Sequence, residues 1–82
     1  MGGTNTMQAD VTVDAIGLYC PMPIIMTARE IKKIQTGQML AVKSDDAGIQ
    51  ADLPAWCKTT GNELVALTQD GTVFTGLVRK TK

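Results

Sequence analysis

Cys20 is the one candidate nucleophile with a recognisable setting, within Leu18-Tyr19-Cys20-Pro21-Met22-Pro23-Ile24. A strand-like stretch ends just before this segment, and a helix-like stretch starts inside it. Proline is tolerated in the first turn of a helix, because N–H groups there have no intrahelical partner. Two prolines at alternate positions therefore fix where the helix begins and leave Cys20 at or next to its N-cap. Unpaired N–H groups and the helix dipole favour a thiolate there, and the thiolate is the reactive form of cysteine. Pro23 stands where the second thiol of a Cys-x-x-Cys pair would be, which argues against a thioredoxin-type dithiol cycle.

The rest of the chemistry-bearing inventory is sparse. Cys57 shares an apolar helical face with Leu53 and Trp56, so a core role is expected for it. There is no histidine. That excludes Cys-His activation within one chain and, with only two cysteines, a conventional structural zinc site. No metal or organic cofactor is implied, and no general base is evident for stand-alone turnover of a small molecule. Eight basic residues balance eight acidic ones, and there are three aromatics in all. Nucleic-acid binding draws on cationic surfaces and aromatic stacking platforms, so direct nucleic-acid binding is not expected.

The elements that must position Cys20 are legible from periodicity. Residues 9–15 alternate around Val11 and Val13 as a half-buried strand, and Gly17 permits a tight turn out of it. From Pro21 to about Thr36, Ile24, Ala28, Ile31 and Ile34 recur at helical steps, with Gly37 placed to end the helix. Residues 38–44 form a short apolar run, suited to a buried strand parallel to the first with the helix as crossover. Ser44, Asp45 or Asp46 can cap a second helix. Residues 47–60 read as that helix, less regular than the first, because Pro54 does not fit an uninterrupted interior. The expectation is a loose first turn, with Asp52 capping a better-formed segment from about Leu53. Glu63–Gln69 and Thr72–Arg79 read as strands joined by an Asp70-Gly71 hairpin turn.

This order, β-α-β-α-β-β, predicts an α/β (α+β) two-layer sandwich, with two helices packed on one face of a four-stranded mixed sheet. The length of 82 residues suffices for one small domain, expected over residues 9–80 behind a flexible N-terminal tail at residues 1–8. No apolar run approaches the ~20 residues of a membrane span. Met1–Thr6 is polar and lacks the apolar region of a signal peptide. A cytoplasmic, soluble protein is expected, and a cytosolic setting disfavours a Cys20–Cys57 disulfide.

Asp14, Gly17, Leu18, Cys20, Pro21 and Pro23 resemble the Cys-Pro-x-Pro signature of the TusA/SirA-like family. By the order of its elements the likeness runs from about Val11 to Lys80, including Asp45-Asp46, Asp52-x-Pro54, Cys57 and Asp70-Gly71. The resemblance implies a sulfur carrier, a sulfurtransferase that relays sulfur as a persulfide on Cys20. It implies a sulfur-donor protein of the cysteine desulfurase or rhodanese type. It also implies a sulfur-acceptor relay protein, leading to tRNA thiolation, molybdenum cofactor maturation or sulfur metabolism. The alternative is a non-catalytic regulatory interaction module of the same fold.

Beside the sulfur, Pro21 and Pro23 would hold Cys20 rigidly, and the absence of a second local thiol prevents self-release of the cargo as a disulfide. Asp14 is expected to shape the loop, by an Asx-type bond or by opening a turn, and Gly17 to serve backbone shape. Tyr19 would either shield the sulfur or sit as a partly exposed core aromatic. Arg29, Lys32 and Lys33 form a basic patch, read either as a solvated helix face or as a docking surface for acidic partner proteins.

Overall fold

The computed structural model describes residues 9–81. The expected tail at residues 1–8 lies outside the described residues. Six elements run in order: β1 (Val11–Asp14), α1 (Met22–Ile31), β2 (Met39–Ser44), α2 (Ile49–Thr60), β3 (Glu63–Asp70) and β4 (Val73–Arg79). They form one sheet in the order β1-β2-β4-β3. The β1–β2 pair is parallel, with α1 as its crossover, and both other pairs are antiparallel. The sheet is mixed, as the sequence predicts.

One buried cluster joins the helices to the sheet. Val13, Leu40, Val42, Phe74 and Val78 meet Ile31, Ile49, Leu53 and Cys57 there. Alternation along β2 turns Met39 and Ala41 the other way, where they pack with Leu77, Val65 and Ala66. Among the glycines, Gly76 fixes how closely α2 approaches the sheet. A Cβ at that position would fall 2.2 Å from Leu53 Cδ2, so Leu53 lies flat on β4 only because residue 76 has no side chain.

Several boundaries differ from the sequence expectation. Helix α1 starts one residue later than Pro21 and stops at Ile31, five residues short of Thr36. Beyond it the Lys33 N–H turns back to Glu30 O at 3.0 Å and the Gln35 N–H bonds the Gln38 side chain at 2.7 Å. Ile34 enters the core from this turn instead of from a helix. Gly37 does not cap the helix; its N–H bonds Lys80 O at 2.7 Å, which ties the loop to the end of the last strand. The buried face of α1 is Pro23, Thr27 and Ile31, with Ile24 and Ala28 half-buried beside it. The Thr27 hydroxyl is satisfied by donating to Pro23 O at 2.7 Å.

Helix α2 is continuous from Ile49, and Asp52 does not cap a segment starting at Leu53. The first turn is tightened by bonds from the Gln50 N–H to Ala47 O and from the Ala51 N–H to Gly48 O. Pro54 sits inside the helix and forgoes one backbone bond. Burial of Ile49 and Leu53, both essentially fully enclosed, offsets that loss at roughly 1.5–3 kcal/mol each. The hairpin turn is shifted by one residue. Asp70 pairs with Val73, so Gly71-Thr72 are its central residues. Gly71 has φ +64°, the left-handed backbone such a turn requires.

Candidate functional site

Because β1 and β2 run parallel, the loops that leave them lie side by side at the carboxyl ends of their strands. The first loop carries Cys20. The second carries Asp45 and Asp46 and leads into the first turn of α2, which carries Asp52.

Carboxylates from both sides pin the Cys20 loop through its backbone N–H groups. Asp14 Oδ1 accepts from the Ile16 N–H at 3.1 Å, an Asx-type bond. Asp45 Oδ1 accepts from the Gly17 N–H at 3.0 Å, and Asp46 Oδ2 accepts from the Cys20 N–H at 2.8 Å. Gly17 has φ +86°, which side-chain-bearing residues rarely adopt, so its place in this turn follows from backbone shape. Pro21 is the N-cap of α1 and Pro23 lies buried in its first turn; the Cys20–Pro21 bond is cis.

Cys20 is exposed and free, and it is not bonded to Cys57. Its electrostatic surroundings are the reverse of the thiolate-favouring mouth expected from the sequence. The Cys20 thiol donates to Asp52 Oδ2 at 2.9 Å. That hydrogen bond, then slight desolvation and the charges of Asp52 and Asp46, hold its pKa above the ordinary cysteine value. The helix end offers the sulfur few N–H groups, because Pro21 and Pro23 have none and the Met22 N–H is already bonded to Tyr19 O at 2.8 Å. Asp46 itself is held below the usual carboxylate range by the N–H groups of Gly48 and Cys20.

Cys57 is buried at 3% exposure in the main core, and burial pushes its thiol up to about 11. Tyr19 neither shields the sulfur nor joins the core, being 79% exposed. Ile16, Tyr19, Met22 and Ile25 are the exposed large hydrophobics among the described residues, and all lie within five positions of Cys20. Arg29, Lys32 and Lys33 are exposed, but Lys33 is paired with Glu30 at 3.0 Å. Arg29 and Lys32 stand about 10–15 Å along the axis of α1 from its first residue, Met22, so the basic patch lies toward the far end of the helix from the thiol.

Asp52 is the site residue that sequence reasoning assigned elsewhere, as a helix cap. Its signal was available in the topology. Parallel neighbouring strands bring the first turns of their succeeding helices together, so a polar residue in the first turn of α2 faces the loop before α1. Among the described residues no group of three or more acidic or cysteine side chains is arranged to hold a metal ion.

Comparison with known proteins converges on one family. The family model described as Sulfurtransferase TusA matches residues 11–80. YrkF of Bacillus subtilis (strain 168), described as a candidate sulfur carrier protein, is 39% identical over 74 residues, covering 90% of this chain and 40% of YrkF. YrkI of the same organism, described in the same terms, is 38% identical over 74 residues, covering 90% of this chain and 99% of YrkI. The chain thus spans less than half of the first relative and nearly all of the second. The crystal structure of a SirA-like protein from Desulfitobacterium hafniense shares the fold, with a TM-score of 0.76 at 22% identity. That match covers 88% of this chain and 99% of the other.

Proposed function

Since the chain belongs to the TusA sulfurtransferase family, we propose that it is a sulfur carrier that accepts sulfane sulfur on Cys20 and hands it to a partner protein. The exposure of the Cys20 thiol, on a stretch of chain that also exposes Ile16, Tyr19, Met22 and Ile25, carries this reading. Exposed apolar side chains on the segment that carries a reactive group favour protein docking over a freely diffusing substrate. The unit is a single carrier domain over residues 9–80 and needs no metal or organic cofactor. The donor is a protein persulfide of the cysteine desulfurase or rhodanese type, and the acceptor is a relay protein with its own thiol. We place the protein in the cytoplasm; no helix among the described residues is long and apolar enough to cross a membrane.

Incubation with a cysteine desulfurase and cysteine, and then intact mass measurement, tests the proposal. The carrier gains the mass of one sulfur atom and loses it again to a second protein thiol. A regulatory module of the same fold would bind a partner and gain no sulfur, and that result would overturn the proposal.

Arg29 and Lys32 act at longer range by steering acidic partners. Reversing both to Glu is expected to slow transfer from a protein donor by roughly threefold to tenfold at low ionic strength. Alkylation of Cys20 by iodoacetamide should be unchanged. An unchanged transfer rate would leave the two residues as solvated helix surface.

A further inference from the structure

We propose that Asp52 is the proton acceptor for the Cys20 thiol during sulfur transfer, a role that rests on Cys20 being the sulfur-bearing residue. Asp52 Oδ2 lies 2.9 Å from Cys20 Sγ and is the side-chain acceptor bonded to that thiol among the described residues. It is half-buried in the first turn of α2, next to Leu53, which is fully buried against β4. Its carboxylate is therefore held by a packed element and not by a mobile loop. Asp46 does not compete for the proton, because one of its oxygens holds the Gly48 N–H at 3.0 Å and the other the Cys20 N–H at 2.8 Å. With no histidine in the chain, Asp52 is the base the geometry supplies.

The transfer step balances without an oxidant or reductant. The Sγ–H proton passes to Asp52 Oδ2 as Sγ attacks the outer sulfur of the donor persulfide. A new S–S bond forms on Cys20 and the S–S bond of the donor breaks. The donor's inner sulfur leaves with that electron pair and takes the proton from Asp52. The net change is thiol plus donor persulfide giving Cys20 persulfide plus donor thiol.

The same contact has two effects of opposite sign. In the empty carrier it keeps Cys20 protonated and slows its reaction with small electrophiles, which need a thiolate and offer no thiolate leaving group to reprotonate. In transfer it supplies a path for the proton. Asp52→Asn keeps the shape, removes the negative charge and offers an N–H that can stabilise a thiolate.

The test compares wild type, Asp52→Asn and Asp52→Glu by the pH profile of iodoacetamide alkylation and by loading from a persulfidated cysteine desulfurase. For Asp52→Asn the alkylation profile is expected to shift to lower pH, with alkylation at pH 7 about fivefold faster. Its loading is expected to be roughly tenfold slower or more. Asp52→Glu, which restores a carboxylate one methylene farther out, should recover part of both effects. An unmoved alkylation profile would overturn the Asp52–Cys20 contact, and loading that keeps pace with alkylation would overturn the proton role. Wild type that alkylates normally yet gains no sulfur would instead remove the carrier reading on which the role rests.

Discussion

Replacing Cys20 with Ala is expected to abolish sulfur uptake while leaving the urea unfolding midpoint where it was. Both halves rest on the surroundings of the residue. The side chain is exposed, so its removal leaves no cavity. The bond that pins the loop runs from the Cys20 backbone N–H to Asp46, and alanine retains that N–H. Cys57→Ala should show the converse. It removes a sulfur from the main core, where the residue is 3% exposed, at a cost of about 1 kcal/mol. Sulfur uptake should survive, because the Cys57 thiol is enclosed and burial pushes its pKa up to about 11. Intact mass after incubation with a persulfide donor, read beside urea unfolding curves, checks both. Uptake retained by Cys20→Ala would show that the chemistry lies elsewhere.

The second large effect is on the fold that holds the site together. Leu53→Ala is expected to lower unfolding free energy by about 2–5 kcal/mol, from a total of roughly 4–12 kcal/mol for a chain of this length. Leu53 is completely buried and rests on the bare backbone of Gly76. Gly76→Ala alone should also destabilise, by about 1–3 kcal/mol of overpacking, because its Cβ would meet Leu53 Cδ2 at 2.2 Å. The two changes should not add. Once Leu53 is shortened, the methyl at position 76 enters vacated space, so its cost should fall close to zero in the double variant. Additive losses in denaturant unfolding would show that the two positions do not share one packing site. Since Leu53 comes directly after Asp52, loosening it should also soften the contact of that carboxylate with Cys20.

The elements and their order were legible because each carries its own periodicity. Val11 and Val13 alternate, Ala28 and Ile31 recur at helical steps, and Gly71 marks the hairpin. The ends of the helices were less legible, because tertiary contacts decide them. Ile34 continues the helical spacing of α1, yet it reaches the core from a turn. Pro54 signals a break by local rules, yet burial of Ile49 and Leu53 carries α2 through it. At the candidate site the pattern gave the thiol and its prolines but the wrong sign for its acidity. A helix N-terminus is a local feature that sequence displays directly. The carboxylates that outweigh it come from 26 and 32 residues away, and only the parallel pairing of β1 and β2 brings them to the sulfur.

The most direct test of the carrier role is to find the sulfur atom itself. Wild-type protein is loaded from a persulfide donor, freed of that donor, alkylated, and cut into peptides for mass measurement. The added sulfur is expected on the peptide that contains Cys20, with Cys57 carrying none, and it should vanish when a protein thiol acceptor is added before alkylation. Sulfur found on Cys57, or on neither cysteine, would contradict a carrier that works through Cys20.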